Sequence, residues 1–311
     1  MLSQDAYDGR ATGLTRFDRQ DRGVLQVTGT DRVDWLQGLV TNDVRLVTPG
    51  HRLYAAWLTP QGRMITDLWL VGADTALFLD VPAALAPALA TRLDGLVFSE
   101  DVQVTDVSAT MPVSEFIGAT DSHGVSASGV AVSSDVYGRP SVVVYGPWRL
   151  VADEQQLPQL REAEPSRLEA LDVLRIEAGV PAFGSDMDTD TIPLEAGLES
   201  RAISFTKGCY VGQELIVRVT QRGGGRVVRH LAGLQLDRPL SPDTPLPRDV
   251  QVAGRSVGRL TSAAWSTRLG HAVALATLHR DHLTPGHQVE VADASGPIMA
   301  RIVVLPMTEA S

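Results

Sequence analysis

The sequence predicts an α+β protein in two parts, a core of mixed helices and strands followed by a small antiparallel β-barrel, and three observations predict it. Helix-like and strand-like segments alternate irregularly over the longer N-terminal part, without the βαβ rhythm of a doubly wound sheet. The run QRGGGR at 221–226 then places three consecutive glycines where neither kind of element orders well. Beyond it the segments are short and β-like, with Pro, Gly and Asp turns between them. At 311 residues the chain also exceeds one ordinary compact core. The expected organisation is a core over 1–222, a glycine linker at 223–225 and a barrel over 226–311.

In TDRVDWLQGLVTND, Thr30 is placed to cap a helix, Asp31 suits the positive end of its dipole, and Val33, Leu36, Leu39 and Val40 share a face, so a helix is expected to end near Asn42. MITDLWLV at 64–71 and ALFLD at 76–80 read as strands joined by the Gly72-Ala73-Asp74 turn, after which Pro82 or Pro87 opens a helix carrying Leu89 and Leu93. DVQVTDV and SVVVYG supply further β-like runs. In SRLEALDVLRIEAGVP, Ser166 and Glu169 form a capping box, Leu168, Leu171 and Leu174 recur at helical spacing, and Gly179 with Pro181 supplies the stop. RVVRHLAGLQL, RSVGRL, HAVALAT, HQVEVAD and IMARIVVL are the expected barrel strands.

A net charge of −10 argues against direct nucleic-acid binding over an extended surface, because phosphate recognition needs a basic footprint. No run approaches the ~20 apolar residues of a membrane-spanning helix. The start MLSQDAYDGR lacks the basic and apolar regions of a signal peptide, so a cytoplasmic location is expected, with no membrane partner. A single cysteine rules out an intramolecular disulfide and a CxxC pair. His279, His282 and His287 sit in a polar, turn-rich stretch without a set of carboxylates or thiols, so no metal site is expected. QRGGGR lacks a phosphate-loop frame, and no G-x-S-x-G elbow or H-E-x-x-H pair occurs.

That cysteine, Cys209, lies in KGCYVGQE at 207–214. Local chemistry leaves two readings open. A lone cysteine behaves ordinarily as a small buried hydrophobe, but Lys207 and a helix beginning near Gly212 would favour a thiolate. VGQELIVRVT satisfies a strand pattern as well as a helical one, so the dipole argument depends on that helix. Glu177, in LRIEAGVPAFGSD, reads either as a solvated carboxylate near a helix end or as the acceptor of two parallel hydrogen bonds from an amidine-like edge such as a pterin or guanine presents. Arg175, two positions earlier, is a candidate ligand contact or a partner for a carboxylate.

KGCYVGQE meets every defined position of K-G-C-Y-x-G-Q-E and resembles the signature of the YgfZ family of folate-binding proteins, relatives of the glycine-cleavage T-protein, an aminomethyltransferase. The blocks VTGTDRVDWLQGLVTNDV, LTPQGRMITDLWL and LRIEAGVPAFGSDMDTDTIPLEAGLE agree with it. The resemblance implies two interleaved ferredoxin-like subdomains followed by the barrel, around a central cavity holding tetrahydrofolate or a one-carbon derivative. It implies that Glu177 contacts the pterin, with Asp67, Arg175 and Lys207 as further binding residues. It also matches GRMITDL to a block whose first aspartate is catalytic in the T-protein, and that place is held here by Thr66, with Asp67 in the second. On that reading folate binding is kept and aminomethyl transfer by the T-protein route is not.

The function so implied is folate-dependent synthesis or repair of iron-sulfur enzymes, with iron-sulfur enzymes or assembly factors as partners and any effect on tRNA modification indirect. Cys209 is the expected reactive thiol at the folate cavity, and Lys207 its activator or the contact for the anionic end of folate. Gly208 and Gly212 would allow a tight backbone beside Tyr210, and Gln213 and Glu214 would cap the next helix or bind a partner. Two alternatives stand beside this: a folate-dependent one-carbon transferase or demethylase, and a non-catalytic partner-binding module.

Overall fold

The structure is a computed structural model and describes residues 15–119, 125–127, 129–150, 168–222 and 226–307. The first strand, β1 (Thr15–Asp18), leads into β2 (Arg22–Thr28), helix α1 (Arg32–Gln37), β3 (Arg52–Leu58), β4 (Met64–Gly72), β5 (Leu77–Pro82), helix α2 (Ala86–Asp94) and β6 (Gln103–Asp106). Strands β2 to β6 form an antiparallel sheet in the order β3-β4-β5-β2-β6. Alternation sends Leu25, Val27, Ala55, Trp57, Leu68, Leu70 and Leu79 to one face, where α1 and α2 cover them through Trp35, Leu36, Leu89 and Leu93. The opposite face carries Val24, Val71 and Phe78 and packs against a second sheet. Both faces are therefore buried, which is why MITDLWLV reads as a nearly continuous apolar run.

The second sheet adds β7 (Val113–Ile117), β9 (Val130–Ser134) and β10 (Ser141–Tyr145) to β1, in the order β1-β7-β10-β9, while β8 (Val125–Ala127) and β11 (Trp148–Leu150) pair separately. Val113, Val132, Val143 and Tyr145 face the first sheet. Helix α3 (Leu168–Glu177) rests Ala170, Leu171 and Leu174 on Phe17 and Ile117, and presents Ile176 to Val273, Leu275 and Met307 of the barrel. Short helices α4 (Glu199–Ala202) and α5 (Gln213–Val217) follow.

The C-terminal part is a closed antiparallel barrel of six strands, β12 (Arg229–Leu236), β13 (Arg248–Val252), β14 (Arg255–Ser266), β15 (His271–His279), β16 (Gln288–Val291) and β17 (Ile298–Val303). Its interior is filled by aliphatic side chains such as Leu234, Val250, Leu260, Leu278 and Ile302, so it is a packed core and not a container. The strand β13 has no counterpart among the segments expected from the sequence.

Two helix expectations need correction. Thr30 does not cap α1: its Oγ1 donates to Asp101 Oδ2 at 2.9 Å, and the N-cap is Asp31 with no side-chain cap bond. The helix stops at Gln37 instead of near Asn42, because Thr41 and Asn42 spend their side chains on distant backbone, Thr41 Oγ1 donating to Ala202 O at 2.5 Å and Asn42 Nδ2 to Tyr54 O at 2.8 Å. The expected cap Ser166 and the glycine linker at 223–225 lie outside the described residues.

Candidate functional site

Between the two sheets lies a cavity of about 350 Å³. Strand periodicity builds its floor: Arg52 and Tyr54 on β3, Asp67 and Trp69 on β4 and Asp80 on β5 point the same way, the pairs Tyr54–Trp69 and Trp69–Asp80 standing side by side in the sheet. Arg19 enters from the β1–β2 connection and Arg22 from the first position of β2, and α3 closes the other side with Leu168, Leu171, Asp172 and Arg175, the i, i+3, i+4, i+7 stripe of one helix face.

The lining is charged and largely self-satisfied. Arg22 Nε donates to Asp80 Oδ1 at 2.5 Å and Tyr145 Oη to Asp80 Oδ2 at 2.7 Å. Arg19 Nη1 donates to the fully buried Glu115 at 2.6 Å. Tyr54 Oη donates to Asp67 Oδ2 at 2.9 Å, and burial, reinforced by the Asp67 charge, pushes the Tyr54 hydroxyl well above the ordinary tyrosine range and keeps it a donor. Asp67 is only half satisfied. The residue is 5% exposed, its Oδ1 has no hydrogen-bond partner, and the closest cation, Arg22 Nη1, stands 3.8 Å away. A buried carboxylate oxygen held open at a cavity wall is a site for an N–H donor of a ligand.

This placement bears on the block GRMITDL, where Thr66 stands in the first place and Asp67 in the second. Ordinary alternation along β4 separates the two residues: Thr66 pairs with Trp57 of the helix-side core, just before a one-residue irregularity in the register, and its hydroxyl donates to the Asp67 carbonyl at 2.9 Å. The carboxylate is not missing from the cavity: Asp67, in the second place of the block, is the one that reaches it.

Glu177 is not brought to the cavity. It lies two residues beyond Arg175 on α3, hence off the cavity-facing stripe, and accepts from Ser266 Oγ at 2.5 Å and Arg268 Nε at 2.8 Å of the barrel end. Arg175 does line the cavity, but its donors go to Asp172 and Asp186, each at 2.6 Å, and to Ser262 Oγ at 2.8 Å.

The signature loop also differs from expectation. Lys207 does not serve the thiol: its Nζ donates to the carbonyls of Gln37, Val40 and Asn42 at 2.7–2.8 Å, holding the end of α1. Burial draws the Lys207 ammonium down to about 8, against the pull of Asp43. Cys209 is exposed and is not among the cavity-lining residues. The helix that follows it, α5, begins only at Gln213, four residues beyond Cys209, and runs into a π-helical turn at Arg218–Arg222. Tyr210 is buried 5.1 Å below the Lys207 ammonium, and burial pushes its hydroxyl up to about 12. The tight backbone belongs to Gly212 alone: at φ +85° its Cβ would meet Thr59 O at 2.5 Å, whereas nothing lies within 4 Å of a Cβ at Gly208. Gln213 and Glu214 line a second, open cavity of about 790 Å³ with Gln61, Leu215, Arg218 and Gln221.

Residues 229–308 match the family described as the glycine cleavage T-protein C-terminal barrel domain. An aminomethyltransferase of Synechococcus sp. (strain RCC307) is 30% identical over 302 residues, 88% of this chain and 82% of that protein. The chain belongs to the aminomethyltransferase family. The iron-sulfur cluster assembly factor IBA57 homolog, mitochondrial, of Mycosarcoma maydis is another relative, 30% identical over 219 residues, 65% of this chain and 53% of that one. The crystal structure of glycine cleavage system aminomethyltransferase T from Bartonella henselae shares the family's fold with this chain, with a TM-score of 0.80 at 19% identity over 98% of this chain and 89% of that one.

Sequence reasoning missed most of the cavity lining: Arg19, Arg22, Arg52, Tyr54, Trp69, Asp80 and Arg201 all line it. One signal was present, the carboxylates Asp67 and Asp80 inside otherwise apolar strands.

Proposed function

We propose that this chain binds a reduced folate in the cavity between its two sheets and acts, through partners met at the KGCYVGQE surface, in the maintenance of iron-sulfur proteins, as the resemblance to the YgfZ family implies. The observation that carries the reading is the open Oδ1 of Asp67, a buried acceptor in a cavity walled by Tyr54 and Trp69. A reduced pterin presents ring N–H donors of the kind such an oxygen accepts, and flat faces suited to aromatic walls. Membership in the aminomethyltransferase family and the likeness to an iron-sulfur cluster assembly factor support the two halves of the reading. Cys209, exposed and apart from the cavity lining, is assigned to the partner surface and not to the folate. A cytoplasmic setting fits this role.

A second reading, folate-dependent one-carbon transfer, is favoured by the same Asp67. Its open oxygen is a base or an electrostatic anchor for a folate amine, the role that the resemblance had assigned to a missing group.

Calorimetry with tetrahydrofolate tests the site. Asp67→Asn is expected to weaken binding about 10–100-fold, the value of one charge-assisted hydrogen bond, with Tyr54 still finding an acceptor. Unchanged affinity refutes the assignment. Cys209→Ala is expected to leave tetrahydrofolate affinity within about twofold of wild type and to abolish complementation of iron-sulfur enzyme activities in a deletion strain. Full complementation removes the cysteine from the function, and turnover of methylene-tetrahydrofolate with a defined amine acceptor would move the conclusion to the transferase reading.

A further inference from the structure

The central cavity holds five arginines, and they are not equivalent. Arg19 is paired with Asp21 and Glu115, Arg22 with Asp80, and Arg175 with Asp172 and Asp186. Arg201 lies over the Tyr54 ring, 5.6 Å from its centroid. Arg52, like Arg201, has no carboxylate in ion-pair reach among the described residues. Its guanidinium lies 4.0 Å over the Trp69 ring, one Nη donates to Ser134 Oγ, the Tyr145 hydroxyl is a further hydrogen-bond partner, and it alone of the five has a buried nitrogen, Nε, without a hydrogen-bond partner. The carboxylates whose charge it feels, Glu115 and Asp80, are already taken by Arg19 and Arg22. A half-buried cation facing a cavity with an unspent donor is an incomplete ion pair, and its complement is an anion supplied from outside.

Register fixes where that anion would sit. On β3, Arg52, Tyr54 and Ala56 share the cavity face, opposite Val71, Trp69 and Asp67 on β4. Arg52 and Asp67 thus occupy the two ends of one line, four residues or about 13 Å apart along extended strand. Between them lies the Tyr54–Trp69 pair, with ring centroids 4.9 Å apart. Arg52 closes that aromatic stretch at one end as Asp67 opens it at the other, so the cavity offers an acceptor, a pair of aromatic walls and a cation in that order.

We propose that Arg52 is the specificity-determining residue of the cavity, binding an anionic carboxylate on the arm of a ligand whose N–H-bearing ring sits at Asp67. This rests on the folate reading above and narrows it: the site takes the pterin together with its p-aminobenzoylglutamate arm and discriminates against pterins that lack carboxylates. A guanidinium already stacked on Trp69 presents its free edge to that carboxylate without further ordering.

Titration calorimetry of the full chain with tetrahydrofolate, tetrahydrobiopterin and p-aminobenzoylglutamate tests it. Arg52→Gln is expected to bind tetrahydrofolate at least about tenfold more weakly than wild type while binding tetrahydrobiopterin, which has the ring and no carboxylate, equally well. Arg52→Lys keeps the charge without the stack, and is expected to bind tetrahydrofolate more weakly than wild type and more tightly than Arg52→Gln, which separates loss of charge from loss of fold. Raising the salt concentration should weaken tetrahydrofolate binding in wild type and leave it nearly unchanged in Arg52→Gln. Equal tetrahydrofolate affinity in wild type and Arg52→Gln overturns the proposal and leaves the folate site standing. If wild type binds neither pterin, the folate reading falls, and p-aminobenzoylglutamate decides about Arg52: heat present in wild type and lost in Arg52→Gln upholds the anion site, and no heat in wild type rejects it.

Discussion

Replacing Asp186 with alanine is expected to cost about 3–5 kcal/mol of stability, the range for removing one partner of a buried ion pair. The carboxylate collects four donors from three parts of the chain: Arg175 Nη1 at 2.6 Å, Ala182 N at 3.0 Å, Thr261 Oγ1 at 2.5 Å and Ser262 Oγ at 2.7 Å. Its side chain is fully buried. Alanine leaves the Arg175 guanidinium with only the exposed Asp172 as counter-charge, removes the acceptor of the Ser262 hydroxyl, and leaves the Thr261 hydroxyl only its longer bond to Leu275 O at 3.2 Å. Asp186→Asn keeps one acceptor oxygen, enough for the Thr261 and Ser262 hydroxyls on Oδ1 but not for Ala182 N and Arg175 on Oδ2, and loses the charge, so about 2 kcal/mol is expected. Urea denaturation of the pair checks both values, and equal losses would mean that the charge, which both variants remove, accounts for the whole effect and the acceptor that asparagine keeps for none of it. Because Arg175 also lines the cavity, this carboxylate ties the barrel to the wall of the site.

What the sequence made legible follows the range of the interactions involved. The apolar runs at 64–71 and 76–80 announced strands because burial on both faces leaves its mark on every residue. The helix at 168–177 was readable from leucine spacing, and the same spacing held more information than was drawn from it: Leu168, Leu171, Asp172 and Arg175 form one stripe, which already separates Arg175 from Glu177. The block GRMITDL was not readable to the residue, since alternation puts Thr66 and Asp67 on opposite faces of β4 and only the pairing with β3 and the packing of the second sheet say which face meets the cavity. Arg52 and Tyr54 in HRLYAAW look like an ordinary polar edge until β4 and the second sheet are laid against them. Proximity in sequence misled at KGC, where Lys207 stands two residues from Cys209 yet spends its ammonium on carbonyls 165–170 residues away.

Lys207 therefore makes a prediction of a different kind from the one its neighbourhood to the cysteine invites. The carbonyls of Gln37, Val40 and Asn42 belong to the end of α1 and the turn after it, where helical partners run out. Lys207→Met fills much of the same space and satisfies none of the three, and a loss of about 3 kcal/mol is expected, with release of the 204–212 loop to limited proteolysis. The pH dependence identifies the group. Burial holds the folded ammonium near 8 against an ordinary value of 10.5, so between those two pH values the unfolded chain binds more protons than the folded one. Unfolding free energy then rises with pH across that window, while below about 8 both states are protonated and the contribution is flat. The stability difference between wild type and Lys207→Met is accordingly expected to widen as pH rises from 8 toward 10.5. A difference that shrinks over that window would show that the three carbonyls hold the ammonium more firmly than burial disfavours it, and that Lys207 keeps its proton in the folded state.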